Sequence, residues 1–287
     1  MIIVTGANGF IGSNLCLELY RRGESVLGVD YVIDRPYLLN TSIGFFLAND
    51  FYSHMAKFLN GREVTAIFHE GAISSTTETN VKLLFERNMS PTMDLMYFCR
   101  DHGIPLQYAS SASVYGNLSR EQWHRPHKPT NPLNEYAKSK KSGDYLAEWI
   151  IDSRKPPKLF QGMRYFNVHG PNEDHKGNQA SPYHKFSKQL EESGRLRLFE
   201  GSKEFYRDFI SVEQVIAIKL AAIENNPSGI YDVGTAKPKS FYDVACEVCS
   251  QHNISDPDSV IDWIPMPDNL KEHYQTYSCA DMLWLKK

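Results

Sequence analysis

The sequence predicts an α/β fold, with a doubly wound parallel sheet followed by a smaller C-terminal lobe. Through the first half of the 287 residues, short apolar runs rich in β-branched residues alternate with longer helical patterns, which is typical of βαβ units. Beyond residue 166 the pattern changes, because Gly, Pro, Asn and His become frequent and the elements become shorter. We therefore expect two interlocked lobes with a ligand cleft between them.

The predicted strands are short and apolar, and the predicted helices carry apolar residues on one face. The strands are Ile2–Thr5, Ser25–Asp30, Thr65–His69, Leu106–Ser110 and Leu159–Tyr165. The helices are Ile11–Arg22, Asp50–Leu59, Val81–His102 and Glu135–Ser153, with one more near Tyr183–Glu192. We expect the sheet domain to span residues 1–165 and the smaller lobe residues 166–287, with some later segments returning to the sheet.

Charge and hydropathy favour a small-molecule ligand. The chain has 31 Lys and Arg residues against 34 Asp and Glu residues, so it lacks the basic field that holds proteins on nucleic acid. Its apolar runs reach about half a dozen residues, far from the roughly 20 that span a bilayer. With 41% hydrophobic residues the chain can bury a core, which excludes intrinsic disorder. We expect neither a nucleic-acid partner nor a membrane partner.

The cysteines and the N-terminal residues favour the cytoplasm. The five cysteines are scattered and odd in number, as in proteins that keep their thiols reduced. Cys246 and Cys249 form a CxxC on a helical pattern, but no second pair completes a tetrahedral metal site, so we expect buried side chains and no metal. Residues 1–5 lead straight into a glycine-rich loop, without the charged and apolar regions of a signal peptide.

A glycine-rich loop after the first strand indicates a dinucleotide site of the Rossmann type. Gly6, Gly9 and Gly12 open a helix, where glycine permits a tight turn and close approach of the backbone to a pyrophosphate. Asp30 ends the second strand, where a carboxylate can accept hydrogen bonds from the adenosine ribose. Asp30 disfavours a 2′-phosphate, but Arg35 lies close enough in sequence to bind one. The choice between NAD and NADP therefore stays open.

A second group of polar residues lies near the predicted carboxyl end of the sheet. Tyr136 and Lys140 form a YxxxK pair, which a helix places on one face one turn apart. A lysine ammonium and an oxidised nicotinamide both stabilise a phenolate by lowering the tyrosine pKa, so we interpret Tyr136 as a general base. Ser111 follows the preceding strand, and we expect it to hydrogen-bond the reacting oxygen. Ser113 is the alternative if the strand register differs.

These motifs together resemble the extended short-chain dehydrogenase/reductase superfamily, which contains the nucleotide-sugar epimerases and dehydratases. Five further stretches are similar to the ADP-L-glycero-D-manno-heptose 6-epimerase family: FHEGAISSTTE at 68–78, RYFNVHGP at 164–171, HKG at 175–177, LFEGS at 198–202 and RDF at 207–209. The resemblance implies a homo-oligomeric cytoplasmic enzyme of lipopolysaccharide core biosynthesis, with one tightly bound NADP or NAD per subunit. It also implies that the enzyme inverts C6 of ADP-D-glycero-D-manno-heptose by transient oxidation and re-reduction.

The same resemblance implies roles for individual residues. It makes Lys176 a second acid/base beside Tyr136, and two are needed because the substrate is presented in two orientations while one fixed tyrosine serves only one. Besides the glycines of the loop, Asp30, Arg35, Tyr136 and Lys140, the implied cofactor-binding residues are Phe10, Ile11, Tyr31, Glu70, Gly71, Ala72, Ser74, Asn88, Val168 and Lys176. The implied substrate-binding residues are Ser75, Ser111, Asn167, Asn178, Lys185, Phe199, Glu200, Gly201, Ser202, Arg207 and Tyr274.

Departures from the family pattern concern the sugar contacts and the oligomer. Asn178 stands where the family usually has serine, residues 182–185 differ from a segment whose histidine contacts substrate, and the sequence ends without the last helix of the family. The alternatives are an epimerase or 4,6-dehydratase for a UDP- or GDP-linked sugar, and a non-catalytic NAD(P)-binding protein. A dehydratase often carries an Asp-Glu pair beside its catalytic hydroxyl, which residues 111–113 lack, and mere binding needs no activated tyrosine.

Overall fold

The strands and helices are those of a computed structural model, which describes residues 1–32, 36–125, 128–268 and 274–285. Within these ranges the strands are β1 (Ile2–Thr5), β2 (Val26–Asp30), β3 (Gly44–Leu47), β4 (Ala66–His69), β5 (Leu106–Ser111), β6 (Phe160–Tyr165), β7 (Asn167–His169), β8 (Leu196–Phe199), β9 (Tyr206–Arg207), β10 (Phe209–Ser211), β11 (Gly229–Val233), β12 (Lys239–Ser240) and β13 (Ile261–Ile264). The helices are α1 (Phe10–Arg21), α2 (Ala48–Leu59), α3 (Val81–Leu84), α4 (Ser90–His102), α5 (Arg120–Trp123), α6 (Glu135–Ile151), α7 (Pro182–Ser193), α8 (Val212–Asn225) and α9 (Phe241–Gln251). A π-helical turn, Phe85–Met89, joins α3 to α4.

A seven-stranded parallel sheet, in the order β11-β6-β5-β4-β1-β2-β3, forms the centre of the fold. The chain leaves β1 for β2 and β3 on one side, and then crosses back to β4 on the other side of β1. A crevice therefore opens beyond the carboxyl ends of β1 and β4, at the point where open α/β sheets bind ligands. This architecture confirms the predicted fold class.

The two faces of the sheet bury separate apolar clusters. Ile3 and Val4 are neighbours on β1 and point to opposite faces, as strand geometry requires. Ile3 belongs to a cluster with Phe51 of α2 and Leu95 of α4. Val4 belongs to a second cluster with Leu15 of α1. Because both faces are covered, the strands read in sequence as continuous apolar runs, and this is why they could be predicted.

The predicted strands all form, with ends that lie within one residue of the prediction. The structure adds β3 and β11, which lie at the two edges of the sheet and were not predicted. β3 has the sequence Gly-Phe-Phe-Leu and is largely exposed, so it lacks the buried apolar pattern of the inner strands. β11 contains Tyr231 and Asp232 in place of a continuous apolar run.

The smaller lobe follows β6 and consists of short paired strands with a core of their own. β10 pairs with β7 and β13 with β8 in parallel, whereas β12 pairs with β9 antiparallel. The core of the lobe includes Phe186 of α7, Leu198 of β8 and Val248 of α9. α8 and β11 leave this lobe, since α8 packs against α1 and β11 pairs with β6. The domain boundary at residue 165 stays a prediction.

In the part of the chain that the structure describes, no helix combines the length and the apolar character needed to cross a membrane.

Candidate active site

A cavity of about 590 Å³ lies beyond the carboxyl ends of β1, β4, β5 and β6, in the crevice of the sheet. It gathers the four predicted catalytic residues and nearly all predicted cofactor residues around one space. Asn88 does not line it, and Arg35 falls outside the described residues. The predicted residues that do line it are Gly6, Gly9, Phe10, Ile11, Gly12, Asp30, Tyr31, Glu70, Gly71, Ala72, Ser74, Ser111, Tyr136, Lys140, Val168 and Lys176.

The glycine loop approaches its neighbours too closely for side chains at two of its three glycines. Gly6 has a φ of 66°, and a Cβ on it would lie 2.6 Å from the backbone nitrogen of Gly71. A Cβ on Gly12 would lie 2.0 Å from the Gly6 carbonyl oxygen. Gly9 is the residue before α1, and no side chain caps the first backbone N–H groups of that helix. Those N–H groups lie at the cavity, where they can bind the oxygens of a pyrophosphate.

Asp30 is fixed at the far end of the cavity by two backbone donors. Its Oδ2 accepts a hydrogen bond from the Asn8 N–H at 2.8 Å, and its Oδ1 accepts one from the Tyr31 N–H at 2.7 Å. The guanidinium carbon of Arg87 lies 3.7 Å from the centre of the Tyr31 ring, and both side chains line the cavity. Sequence reasoning missed Arg87, because it lies on the π-helical turn, where no helical period places a side chain.

Ser111, Tyr136 and Lys140 meet at the opposite end of the cavity. Asn134 caps α6, with its side chain accepting a hydrogen bond from the Ala137 N–H, and so fixes the first turn that carries Tyr136. The Lys140 ammonium donates to the carbonyl oxygen of Ala109 on β5 at 2.9 Å. The Ser111 hydroxyl lies beside the Tyr136 phenol and tends to lower its pKa.

Ser113, the alternative to Ser111, does not line the cavity. Its hydroxyl is buried and has no hydrogen-bond partner among the described residues. Its backbone N–H donates to the Ser111 hydroxyl at 3.2 Å, at the start of a short 3-10 turn. The geometry therefore favours Ser111 as the hydroxyl next to Tyr136.

Burial shifts the pKa values of Tyr136 and Lys140 in opposite directions. Burial raises the pKa of Tyr136 above its usual value, and Lys140 is not among the groups that lower it. Burial lowers the pKa of Lys140 to about 8, against the opposing effects of Glu70 and Asp144. The expectation that Lys140 and an oxidised nicotinamide together lower the pKa of Tyr136 stays a prediction.

A buried polar triad closes the floor of the cavity. Lys219 of α8 is fully buried, and its ammonium lies 2.6 Å from Glu70 Oε1 and 2.9 Å from the Tyr165 hydroxyl. The Tyr165 hydroxyl also donates to Glu70 Oε2 at 2.9 Å. Glu70 and Tyr165 line the cavity, at the ends of β4 and β6. Sequence reasoning missed Tyr165 and Lys219, since a lysine on an amphipathic helix resembles a solvated one.

Asn88 supports the wall of the cavity from behind. Its carboxamide accepts from the Ile73 N–H at 2.7 Å and donates to the Ile73 carbonyl oxygen at 3.1 Å. It also donates to the Ser139 hydroxyl on α6 at 3.1 Å. Asn88 thus connects the loop after β4 to α6. Asn88 lies behind the predicted cofactor site but does not line the cavity.

Lys176 reaches the cavity from the loop between β7 and α7. Its ammonium lies 4.6 Å from the centre of the Phe10 ring and 3.4 Å from Glu173 Oε2. Burial lowers the pKa of Lys176, and Glu173 opposes that effect. His175 also lines the cavity. An ionisable side chain on an element other than α6 therefore lines the same cavity as Tyr136.

Arg207 is a buried cation in the smaller lobe, outside the lining of the cavity. Its side chain is 8% exposed and donates to the backbone carbonyl oxygens of Tyr206 and Gln275. No carboxylate pairs with it in the described ranges, and burial lowers its pKa to about 10. The Tyr274 ring lies 5.4 Å from the guanidinium carbon. A buried guanidinium that still has N–H donors without a partner among the described residues fits an anionic ligand such as a diphosphate.

The remaining predicted substrate residues lie around the two lobes rather than in the cavity. Gly201 has a φ of 88° and packs on Phe205, whose ring lies 4.9 Å from that of Tyr274. Lys185 of α7 lies close enough to Lys176 for that ammonium to lower its pKa, although burial has the larger effect. Ser75, Asn167, Asn178, Phe199, Glu200 and Ser202 also do not line the cavity, and the substrate-binding role of all these residues stays a prediction.

Comparison with known proteins gives concordant matches. The model of the NAD dependent epimerase/dehydratase family matches residues 2–234. An ADP-L-glycero-D-manno-heptose-6-epimerase of Alkalilimnicola ehrlichii is 39% identical over all of this chain and 90% of its own length. The enzyme of that name from Brachyspira hyodysenteriae is 37% identical over all of this chain and 91% of its own. The crystal structure of ADP-L-glycero-D-manno-heptose-6-epimerase from Helicobacter pylori superposes with a TM-score of 0.79 at 26% identity, over 96% of this chain and 91% of the other.

Proposed function

This chain belongs to the NAD dependent epimerase/dehydratase family, and we propose that it inverts C6 of ADP-D-glycero-D-manno-heptose to give the L-glycero isomer. It is a nucleotide-sugar epimerase that uses NAD or NADP. The observation that carries the proposed chemistry is the meeting of Ser111, Tyr136, Lys140 and Lys176 on one cavity. The substrate assignment is supported by the names of the full-length relatives and by the buried Arg207.

The cavity fits a nicotinamide dinucleotide. Residues 6–12 and the N-terminus of α1 would hold the pyrophosphate, and Asp30 would hold the adenosine ribose. Ser110 lines the cavity, and its buried hydroxyl has no hydrogen-bond partner among the described residues, so it can bind the reactive end of the ligand. Bound NAD or NADP supplies the acceptor that removes hydride from C6 and the donor that returns it.

The residues of the chain move the protons and hold the oxygen. Tyr136 takes the proton of the C6 hydroxyl in one substrate orientation, and Ser111 donates a hydrogen bond to the oxygen as its charge develops. Lys176 serves the opposite orientation, because it reaches the cavity from a different element. Protons and hydride return to the sugar, so the reaction has no net redox change.

An isotope experiment tests this closed cycle. ADP-heptose deuterated at C6 is incubated with the enzyme and with unlabelled reduced cofactor in solution. Internal return keeps the deuterium at C6 of the inverted product and consumes no cofactor. Tyr136→Phe is expected to slow the inversion by roughly 10²- to 10⁴-fold, as is usual for an acid–base group.

Three results would contradict the proposal. Loss of deuterium to the cofactor in solution, or steady growth of reduced nicotinamide absorbance, indicates a dehydrogenase. Turnover of a UDP- or GDP-linked sugar, with every ADP-sugar inert, moves the assignment to another nucleotide sugar. A Tyr136→Phe variant with normal turnover excludes Tyr136 as the base.

The proposal includes a homo-oligomer and a cytoplasmic location. Tyr145 and Trp149 are exposed one turn apart on α6, and Phe85 and Tyr97 are exposed on the neighbouring π-helical turn and α4. Large apolar side chains on adjacent helices support an interface between subunits. All five cysteines are free thiols in the structure, which supports a reducing compartment.

A further inference from the structure

Glu173 is a buried carboxylate that neither the sequence motifs nor the proposed chemistry uses. It lies in the loop between β7 and α7 and is 1% exposed. Its Oε1 accepts hydrogen bonds from the Gly170 N–H at 3.0 Å and the Ser181 hydroxyl at 2.8 Å. Its Oε2 accepts from the Ser181 N–H at 2.7 Å and lies 3.4 Å from the Lys176 ammonium. Four donors, one of them charged, thus converge on one side chain.

These contacts close the loop of residues 170–181 into a ring with Lys176 inside it. Gly170 and Ser181 stand at the two ends of the ring, and Ser181 also caps α7. The backbone N–H of Lys176 donates to the Glu173 carbonyl oxygen at 2.8 Å. Glu173 thus contacts both ends of the loop and the backbone of Lys176. These contacts fix the position of the Lys176 backbone, from which its side chain extends to the cavity.

The ring is also fixed to α1, the helix that follows the glycine loop. Asn14 of α1 donates to the Pro171 carbonyl oxygen at 3.0 Å, and Asn172 donates to the Ser13 hydroxyl at 3.2 Å. The Lys176 ammonium is 4.6 Å from the centre of the Phe10 ring, also on α1. The position of Lys176 is therefore fixed relative to the part of the cavity that fits the pyrophosphate.

A carboxylate suits this position better than a neutral acceptor. A neutral side chain could accept from the Gly170 and Ser181 groups, but the ammonium of Lys176 is partly desolvated and gains from a negative charge. The neighbouring Lys185 is a like charge, since the Lys176 ammonium adds to burial in lowering the pKa of Lys185. The further titratable groups around the loop are Tyr37, His169, Asp174, His175 and His184, and Glu173 acts to raise the pKa of His169 against the larger, lowering effect of burial.

We propose that Glu173 is the positioning residue for Lys176: it holds the Lys176 ammonium at the edge of the cavity, where Lys176 exchanges a proton with the oxygen of the bound sugar. This inference rests on the proposed function, because Lys176 acts as the second proton-transfer group there. Glu173 itself does not touch the reacting atoms and acts only through Lys176.

Competitive labelling tests the placement without any sugar substrate. The holoenzyme is treated with a trace of acetic anhydride over a pH series, and the labelled fraction of Lys176 is measured by peptide mass spectrometry. Glu173→Gln is expected to move the labelling midpoint of Lys176 to lower pH, because the opposing carboxylate is gone while burial remains. Ser181→Ala is the matched control, since it removes one hydrogen bond of the ring but keeps the charge.

Two labelling results would overturn the proposal. One is an unchanged Lys176 midpoint in Glu173→Gln. The other is a Ser181→Ala shift as large as that of Glu173→Gln, which would mean that loosening of the loop, not the charge, is responsible. Should Glu173→Gln not fold, Glu173→Asp keeps the charge but withdraws it by one methylene, and a smaller shift in the same direction is expected. An unchanged midpoint in that variant also overturns the proposal.

A kinetic cycle tests whether Glu173 acts through Lys176. Glu173→Gln is expected to slow inversion by about 10- to 100-fold, the usual cost of a misplaced group. In a Lys176→Met background the same substitution is expected to add nothing. A further loss in that background overturns the proposal. The protein could also show the Lys176 labelling shift in Glu173→Gln and yet leave ADP-heptose unchanged. That result would support the Glu173–Lys176 ion pair and contradict only the proposed substrate.

Discussion

At the scale of single residues, sequence patterns predicted residues that the fold brings to one cavity, but not the residues that hold them in place. The YxxxK spacing and the strand end fixed Tyr136, Lys140 and Ser111, because helical and strand periods place such residues on one surface. Arg87 and Glu173 have no such period, since one lies on a π-helical turn and the other in a loop. Arg87 meets Tyr31 from a distant part of the chain, which local sequence does not encode. Glu173 contacts residues close in sequence, Gly170, Lys176 and Ser181, but an irregular loop has no repeating pattern that predicts such contacts.

Gly9 offers a residue-scale test of the cofactor site. Its backbone conformation is open to any residue, and the nearest atom to an added Cβ is the Gly6 carbonyl oxygen, at 3.1 Å. Gly9→Val is expected to fold after a small shift of the Gly6 carbonyl, while its side chain fills the space in front of the α1 N-terminus and abolishes binding of NAD and NADP. The measurement is a fluorescence titration with the reduced cofactors. Gly103→Ala is the control for a strained glycine loss that leaves the cavity intact, because Gly103 lies on an open turn away from the cavity and has a φ of 65°.

A Gly9→Val protein that melts like the wild type and binds reduced cofactor with the same affinity would place the pyrophosphate elsewhere. A general loss of folding in Gly9→Val, while Gly103→Ala stays folded, would show that the Gly6 carbonyl cannot make room for a side chain at residue 9.

At the scale of elements, burial decided what the sequence could predict. The inner strands are buried on both faces and form nearly continuous apolar runs, so β1, β2, β4, β5 and β6 were predicted. The edge strand β3 is largely exposed, and β11 joins the sheet only after the chain has passed through the smaller lobe. Pairing across such a separation depends on tertiary packing and leaves no local pattern.

The contact of α8 with the sheet depends on the charge of Lys219. Its ammonium is the buried partner of Glu70, so Lys219→Met leaves a carboxylate uncompensated beneath the cavity. We expect the free energy of unfolding to fall by about 3–5 kcal/mol, measured by urea denaturation. The double variant Glu70→Gln/Lys219→Met is expected to recover part of that loss, because no buried charge remains.

Lys188→Met on α7 is the matched control for Lys219→Met. Lys188 forms an exposed pair with Glu192 at 3.7 Å, and losing such a pair costs less than about 1 kcal/mol. Two results would contradict a charge-dependent contact between α8 and the sheet. One is an equal loss of unfolding free energy in Lys188→Met and Lys219→Met. The other is a double variant that is less stable than Lys219→Met.

At the scale of the whole molecule, the exposed face of α6 predicts how subunits meet. Tyr145 and Trp149 are 61% and 62% exposed, one turn apart, and Tyr97 and Phe85 extend the same apolar character to the adjoining elements. Sedimentation velocity at micromolar concentration is expected to show an oligomer for the wild type and a single chain for Tyr145→Glu/Trp149→Glu, because two buried carboxylates would oppose association. Tyr20→Glu, a charge placed on an exposed aromatic position of α1, is expected to leave the oligomer intact. A monomeric wild type would contradict the proposed oligomer itself, whereas an intact oligomer in the α6 variant would place the interface on another face of the molecule.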